Sequence, residues 1–234
     1  MSWLVETEPD DAHVREMTDA EFDSALIAAA MHIAGERGWR NVTVAAAARE
    51  ADLPLARARE RFAGRDAILL RFGRMADQAV LDGASTEGSV REQLFELLMR
   101  RFDALQVHRP GIMALLRVLP FDPPMALLLT CATRRSMRWM LQAAGVPANG
   151  LRGELQVRVM VGIWLWGLRT WQQDDSEDLT ATMAAVDTAL SRAEQAAGWL
   201  SGRRMVRPPA EEPAADVTEA EPRNDLDDAA EERG

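Results

Sequence analysis

The stretch NVTVAAAAREADLPLARARERFAGRDAILLRF, residues 41–72, contains two short helical segments separated by a turn. Thr43 is suited to cap the first segment, because a threonine side chain accepts a hydrogen bond from an N–H group at a helix start. Pro54 suits the first turn of the second segment, which we expect to run to about Phe62. Gly64 then interrupts the chain before a longer apolar helix. The stretch therefore predicts short helices in tight succession.

A further helix is predicted upstream of this stretch. Thr18 and Glu21 have the spacing of a capping box, which places a helix start at this point. Gly35 and Gly38 fall at its expected end. Apolar residues at helical spacing mark its inner face: Phe22, Leu26, Ala29, Ala30 and Ile33.

The rest of the chain also has helical rather than alternating periodicity, so we predict an all-α protein. The helix in LRGELQVRVMVGIWLWGLRTWQQ, residues 151–173, is apolar on most of its circumference, which indicates burial inside a bundle or at a subunit interface. We expect Ser176 to cap the last helix. The helix in residues 151–173 carries two apolar stripes, one of Val157, Met160, Val161, Trp164, Leu168 and Trp171 and the other of Val159, Ile163 and Trp166.

The net charge of −10 is unevenly distributed. Residues 1–22 carry −6 and residues 207–234 carry −7, so residues 23–206 carry +3. All 27 basic residues are arginine. The overall charge therefore neither supports nor excludes contact between the central part of the chain and nucleic acid. The last segment is rich in proline, alanine and acids, and we expect it to be disordered.

Several classes of protein are disfavoured by the sequence. The histidines His13, His32 and His108 have no metal-ligand spacing, and no glycine-rich phosphate loop or nucleophile–base pair is present, so we expect no enzyme, no metal and no cofactor. No apolar run is long enough to span a membrane, and the acidic N-terminus does not resemble a signal peptide. We therefore expect a cytoplasmic protein that does not bind a membrane. Cys131, among apolar neighbours, is predicted to be a small core residue.

The order of motifs in residues 23–72 resembles the TetR family of transcriptional regulators. The matching features are a helix ending at Gly38, Thr43 and Val44 opening the next helix, a turn at residues 51–53, a short helix ending at Phe62, and Arg65–Asp66 before an apolar helix. The resemblance implies an N-terminal three-helix domain with a helix-turn-helix, followed by a C-terminal helical bundle. The implied boundaries are a flexible acidic segment at 1–17, the helix-turn-helix domain at 18–75, a ligand-binding and dimerisation domain at 76–204, and a disordered acidic tail at 205–234.

The resemblance also implies a homodimer that binds double-stranded DNA through the helix from Pro54 to Phe62. The implied DNA-contacting residues are Thr43, Leu55, Arg57, Arg59, Arg61 and Arg65. Arg57 and Arg61 are four residues apart and therefore share a helix face, which arginines use either for phosphates and guanine edges or simply as a solvated surface. The sequence departs from the family pattern at three positions: Asp52 replaces a turn glycine, Pro54 replaces a small or hydroxyl residue, and Arg59 replaces a tyrosine.

In this family a small hydrophobic effector binds the C-terminal domain, and the resemblance implies such a ligand here. Methionine and tryptophan side chains can line an adaptable apolar pocket, although for any one of them an ordinary core position is the more common role. The candidate pocket residues are Met113, Trp139, Met160, Trp164 and Trp171.

A second resemblance is to the TetR-fold lipid-binding accessory proteins of ubiquinone biosynthesis, which do not act as repressors. It rests mainly on LWGLRTWQQDDSEDLTATMAAVDTAL, residues 165–190, with Trp171, Asp175, Ser176, Thr182 and Asp187 at matching spacing. It implies an isoprenoid in the same cavity and no DNA binding. The acidic tail of this chain departs from the membrane-docking helix of those proteins, because anionic lipid repels it.

Overall fold

A computed structural model describes residues 17–83 and 87–201, with side chains up to residue 196. Within this part of the chain every regular element is helical, as predicted. The expected flexible segments at 1–17 and 205–234 lie outside the described residues, apart from Met17. Nine α-helices are described: α1 (Asp19–Arg37), α2 (Val44–Glu50), α3 (Leu55–Arg61), α4 (Arg65–Asp82), α5 (Val90–Gln106), α6 (Arg109–Val118), α7 (Pro123–Ala143), α8 (Gly150–Trp171) and α9 (Thr180–Ser201). Two short 3-10 helices span Trp39–Asn41 and Leu119–Phe121.

Helix α1 begins at the predicted capping box. The backbone N–H of Glu21 donates to Oγ1 of Thr18 at 3.3 Å, and the backbone N–H of Thr18 donates to Oε2 of Glu21 at 2.8 Å. The helix ends at Gly38, whose φ of 85° is in the region that favours glycine. Its predicted inner face is buried throughout. Local sequence signals therefore determine both ends of this helix.

Helices α2 and α3 form the predicted helix-turn-helix with α1 beneath them. Thr43 caps α2 by accepting a hydrogen bond from the backbone N–H of Ala46 at 3.0 Å. Asp52, in the turn, has a φ of 50°, a left-handed conformation that aspartate tolerates better than most residues. Pro54 lies just before α3, and Phe62, which ends α3, is buried. We call α1 to α3 the head and α5 to α9 the body.

The head is joined to the body by two contacts. Helix α1 packs closely on α6 at Gly111, where a Cβ atom would lie 2.4 Å from the backbone oxygen of Met31. Helix α4 leaves the head and packs against α1, α5 and α7. Ile68 and Leu69 of α4 are buried in a core that is continuous from the head into the body.

Two sequence predictions about the body are wrong. The last helix begins at Thr180 rather than directly after Ser176, because Leu179 has a φ of 50° and breaks the helical path. Asp174 holds this bend by accepting hydrogen bonds from Ser176 and Thr182. Burial alone would raise the pKa of Asp174, but these hydrogen bonds lower it to about 2. Cys131 is exposed rather than part of the core.

Candidate nucleic-acid interface and ligand cavity

Arg57 and Arg61 share one face of α3, as their spacing predicts, but this face lies against α1. Arg57 Nη2 is 2.9 Å from the backbone oxygen of Met17 and 2.8 Å from Oδ1 of Asp19. Arg61 Nη1 lies 2.6 Å from Oδ2 of the same aspartate. Hydrogen bonds from Arg57 and Arg61 hold the pKa of Asp19 below its ordinary value. The two arginines therefore attach α3 to α1.

Asp23 is the centre of this network. Its carboxylate accepts two parallel hydrogen bonds from Arg61, from Nε at 2.7 Å and from Nη2 at 2.9 Å, and lies 2.5 Å from Nη2 of Arg71 on α4. Burial alone would raise the pKa of Asp23, but the bonds from Arg61 and the charge of Arg71 outweigh it, so the pKa is lowered. One buried carboxylate thus connects all three of α1, α3 and α4.

The opposite face of α3 is open to solvent. It presents Leu55, Ala56, Arg59 and Glu60, and Arg59 makes no ion pair with any residue that the structure describes. Thr43 is exposed at the start of α2, where its Oγ1 accepts a capping bond and its hydroxyl hydrogen remains available. Of the six predicted DNA-contacting residues, Leu55 and Arg59 therefore lie exposed on α3, and Thr43 lies exposed at the start of α2.

The other three predicted residues differ in placement. Arg57 and Arg61 are directed inward, as described above. Arg65, at the start of α4, is near two carboxylates, 3.8 Å from Asp66 and 3.6 Å from Asp122. Its side chain is partly exposed.

Sequence reasoning missed two exposed arginines on the head. Arg40 lies in the 3-10 helix before α2, and Arg49 lies near the end of α2. Neither makes an ion pair within the described part of the chain. The signal that could have identified them is their position at the two ends of α2, the first helix of the helix-turn-helix, rather than on α3 itself.

A cavity of about 650 Å³ lies in the body next to the head. Helix α4 forms one wall, and α5, α6, α7 and α8 form the others. Its volume is within the range of about 300–1,000 Å³ that is usual for small-molecule sites. Its lining is largely apolar, with leucines from all five of these helices.

Two of the five predicted pocket residues line this cavity. Trp164 lies in its wall and is buried, and Trp139 is at its exposed end. Met160 and Trp171 are buried elsewhere in the core and, like the half-buried Met113, are not among the lining residues. The sequence could not separate these roles, because core and cavity require the same apolar side chains.

A polar group is embedded in the cavity wall. Arg101 of α5 is ion-paired with Asp77 of α4, and its Nη1 donates to Oγ of Ser136 on α7 at 2.6 Å. The guanidinium carbon of Arg101 lies 5.0 Å from the centre of the Trp164 ring. Burial lowers the pKa of Arg101 to about 10. This group holds α4 against the body.

Helix α8 has a second apolar surface that the body does not cover. Val159 is 42% exposed and Trp166 is 57% exposed, whereas Ile163 of the same predicted stripe is buried. Leu151 and Leu155 continue the exposed strip toward the start of the helix. We call Leu151, Leu155, Val159 and Trp166 the outer face of α8.

Comparison with solved structures identifies the fold. The chain is similar to a TetR transcriptional regulator from Nitrosomonas europaea, with a TM-score of 0.60 and 19% identity over 74% of this chain and 98% of the other. It is also similar to a TetR-family regulator from Streptomyces coelicolor, with a TM-score of 0.54 and 19% identity over 80% and 87% of the two chains. A transcriptional regulator from Pseudomonas aeruginosa matches with a TM-score of 0.53 and 14% identity, over 81% and 98%.

These matches confirm the predicted all-α, TetR-like architecture, in which a helix-turn-helix domain precedes a helical bundle. No model of a known protein family matches the sequence, and no curated protein matches it. The matched structures are described as regulators, not as enzymes. The second resemblance, to lipid-binding accessory proteins, stays a prediction.

No single helix in the described ranges is long and apolar enough to cross a membrane. The pair Arg109–Phe121 and Pro123–Ala143 meets the length and composition requirement only when taken together across a bend of 119°.

Proposed function

We propose that this protein is a cytoplasmic, homodimeric, DNA-binding transcriptional regulator whose DNA affinity is controlled by a small apolar ligand. The observation that carries the proposal is the double role of α4. Its residues Leu69, Phe72 and Ala76 line the cavity, and its Arg71 is paired with the buried Asp23 of the head. A molecule that occupies the cavity therefore contacts the helix to which the head is bonded.

The exposed face of α3 is the surface that we propose enters the major groove. A helix-turn-helix places its second helix there, with the first helix against the backbone. Arg59 is the cation on this face without a carboxylate partner in the described structure, so it is available to a phosphate or a guanine edge. Thr43, Arg40 and Arg49 surround the start and end of α2 and are suited to phosphate contacts.

Arg57 and Arg61 have an indirect role in this proposal. Because their guanidinium groups are paired with Asp19 and Asp23, they hold α3 in position rather than contact DNA. Removing either one should disturb binding through the orientation of α3.

Dimerisation is proposed through the outer face of α8. An exposed apolar strip on a helix is the kind of surface that a subunit interface covers. The exposed residues of the neighbouring α9 include Ala181, Ala184 and Thr188, small side chains that permit a second pair of helices to approach closely. Two heads joined in this way match two half-sites of an operator.

Ligand control requires that the ligand bind one arrangement of α4 more tightly than another. The cavity wall contains the Arg101–Asp77 pair, which joins α4 to α5, and the leucines of α4 that face the cavity. A ligand that moves α4 relative to α5 changes the position of the head through Arg71 and Asp23.

The test is a selection of fragments from the encoding genome by purified protein at moderate salt, followed by sequencing of the bound DNA. We expect enrichment of a small set of fragments that contain a two-fold symmetric site, and a clearly weaker enrichment for Arg59→Ala. Arg117→Ala is the matched control, because Arg117 is an exposed arginine of α6, far along the chain from the head and unpaired within the described structure. Equal recovery of all fragments would contradict the proposal.

A lipid-binding accessory role is the second candidate, and a specific observation favours it. The exposed side of the helix-turn-helix carries the acids Asp52 and Glu60, and two of the arginines on α3 are neutralised internally. These features weaken the attraction to phosphate. If no fragment is enriched and an isoprenoid lipid co-purifies with the protein, this second function is supported and the regulator proposal is refuted.

A further inference from the structure

The cavity has an apolar interior and a basic rim. Its buried apolar lining residues are Leu69, Ala76, Leu105, Ile112, Leu115 and Trp164. The exposed lining residues include Arg74 on α4 and Arg135 on α7. The two arginines come from different helices that pack against each other across the cavity. Polarity therefore changes from the interior to the opening.

The charges that line the cavity do not balance. The lining residues carry three arginines, Arg74, Arg101 and Arg135, and a single carboxylate, Asp77. Asp77 is used by Arg101 and also accepts a hydrogen bond from Ser136 at 2.6 Å. An excess of two positive charges therefore remains, and both are at the rim.

The arginines of α7 that lie next to the rim have carboxylate partners, whereas the arginine at the rim has none in the described structure. Arg134 and Arg138 are both ion-paired with Glu154 of α8. Arg135 lies between them in sequence but faces the cavity, and it has no carboxylate partner among the described residues; the same is true of Arg74.

We infer that the ligand of this cavity is an amphiphile with an apolar body and an anionic head, the head being held by Arg74 and Arg135. This inference rests on the proposed ligand-binding function and specifies its ligand class. A neutral apolar molecule fills the apolar interior but offers no anion to the two exposed guanidinium groups, which then have only water as a partner. A cationic amphiphile is repelled. An apolar chain with a carboxylate or phosphate ester head fits both the interior and the rim, because arginine binds either anion with paired N–H groups.

The experiment measures displacement of the neutral apolar dye N-phenylnaphthylamine from the protein alone, without DNA. Four probes with the same chain are compared below their micelle concentrations: dodecanoate, dodecyl phosphate, dodecanol and dodecyltrimethylammonium. We expect the two anions to displace the dye at concentrations about tenfold lower than dodecanol, and the cation to be weakest. Whichever anion binds more tightly distinguishes a carboxylate head from a phosphate head.

Three variants locate the preference on the rim. Arg74→Gln and Arg135→Gln should each weaken binding of the anions by about fivefold, the upper range for a solvent-exposed charge pair, and leave dodecanol within about twofold. The double variant should bind anion and alcohol equally. Arg117→Gln, which removes an exposed arginine outside the lining, should leave the anion preference intact. Thermal unfolding of all variants establishes that each is folded.

The inference is overturned if dodecanol binds the wild-type protein as tightly as dodecanoate and dodecyl phosphate, or if the anion preference persists in the double variant. Since this assay contains no DNA, its outcome is separate from the fragment selection. A protein that prefers anions but enriches no DNA refutes the regulator proposal alone. A protein that enriches DNA but does not prefer anions refutes this inference alone.

Discussion

Replacement of Asp23 by asparagine tests whether one buried carboxylate holds the head together. The side chains are nearly equal in size, so the substitution removes the charge without creating a cavity. In the wild-type protein this carboxylate accepts two bonds from Arg61 and is paired with Arg71, on helices α3 and α4. In Asp23→Asn, Arg71 loses its carboxylate partner and Arg61 keeps only the exposed Asp19, while the N–H₂ group of the new amide lies against hydrogen-bond donors.

The expected cost follows from the burial of the three groups. Removing one partner of a fully buried ion pair costs about 3–5 kcal/mol. The side chain of Asp23 is 2% exposed, but those of Arg61 and Arg71 are 21% and 35% exposed, so the arginines retain water after the substitution. We therefore expect a loss of about 2–3 kcal/mol in the free energy of unfolding. For a chain of this length the midpoint of thermal unfolding should fall by about 5–10 °C.

The assay is thermal unfolding followed by circular dichroism from pH 8 to pH 3. Asp19→Asn is the control, because Asp19 is paired with the same Arg61 but its side chain is 65% exposed, and its effect should be clearly smaller.

The folded pKa of Asp23 lies below its ordinary value of 3.8. The carboxylate therefore stabilises the fold fully at pH values well above 4, and this contribution is lost as the pH falls through the folded pKa. The difference between wild type and Asp23→Asn should be constant from pH 8 to about pH 5 and should shrink only below that. The reasoning fails if Asp23→Asn unfolds within about 1 °C of the wild type at pH 7, or if the control loses as much.

Three further substitutions test other parts of the account. Arg59→Ala should weaken binding to a selected DNA fragment by about tenfold and reduce the slope of log affinity against log salt concentration by about one unit. Thermal stability should not change, because Arg59 makes no described ion pair. An unchanged affinity, measured by fluorescence anisotropy, would exclude Arg59 as a DNA contact. Trp166→Asp should convert the proposed dimer to a monomer in analytical ultracentrifugation, because it places a charge in the outer face of α8. The control Leu127→Asp, at an exposed position of α7, should leave the oligomeric state unchanged. If Trp166→Asp is still a dimer, the interface is not the outer face of α8. Gly111→Ala should lower the free energy of unfolding, measured by denaturant titration, by about 1–3 kcal/mol, since the new Cβ atom would lie 2.4 Å from the backbone oxygen of Met31. If the variant is as stable as the wild type, α1 and α6 can move apart at little cost.

Short-range signals made the helices of the head predictable. The capping box at Thr18, the cap at Thr43 and the end of α3 at Phe62 each depend on neighbours within a few residues. The start of the last helix was not predictable in the same way. Nothing near Ser176 indicates that Leu179 adopts a left-handed conformation, because leucine rarely does so.

The direction of the arginines on α3 depended on long-range contacts. The spacing of Arg57 and Arg61 correctly indicates a shared face but not which partner that face meets. Their aspartates, Asp19 and Asp23, lie 38 residues upstream. A usable signal did exist: two acids four apart on one helix match two arginines four apart on another, and helices of this motif pack together.

The cavity was the least predictable feature of the site. Trp164 and Trp171 lie in the same helix with the same periodicity, yet Trp164 lines the cavity and Trp171 is buried away from it. The position of Cys131 at the cavity rather than in the core has the same cause, since α7 exposes one side at the opening. Packing between distant helices determines where space remains, and periodicity within one helix does not contain that information.

The affinity of the selected DNA fragment with and without saturating apolar ligand tests the central claim most directly. Fluorescence anisotropy at fixed salt provides both dissociation constants, with dodecanoate as the first ligand. If occupation of the cavity moves α4 and with it the head, the dissociation constant should change by about 5- to 150-fold, the usual range of coupling between two sites. An unchanged constant at a ligand concentration that fully displaces the dye would contradict ligand control of DNA binding.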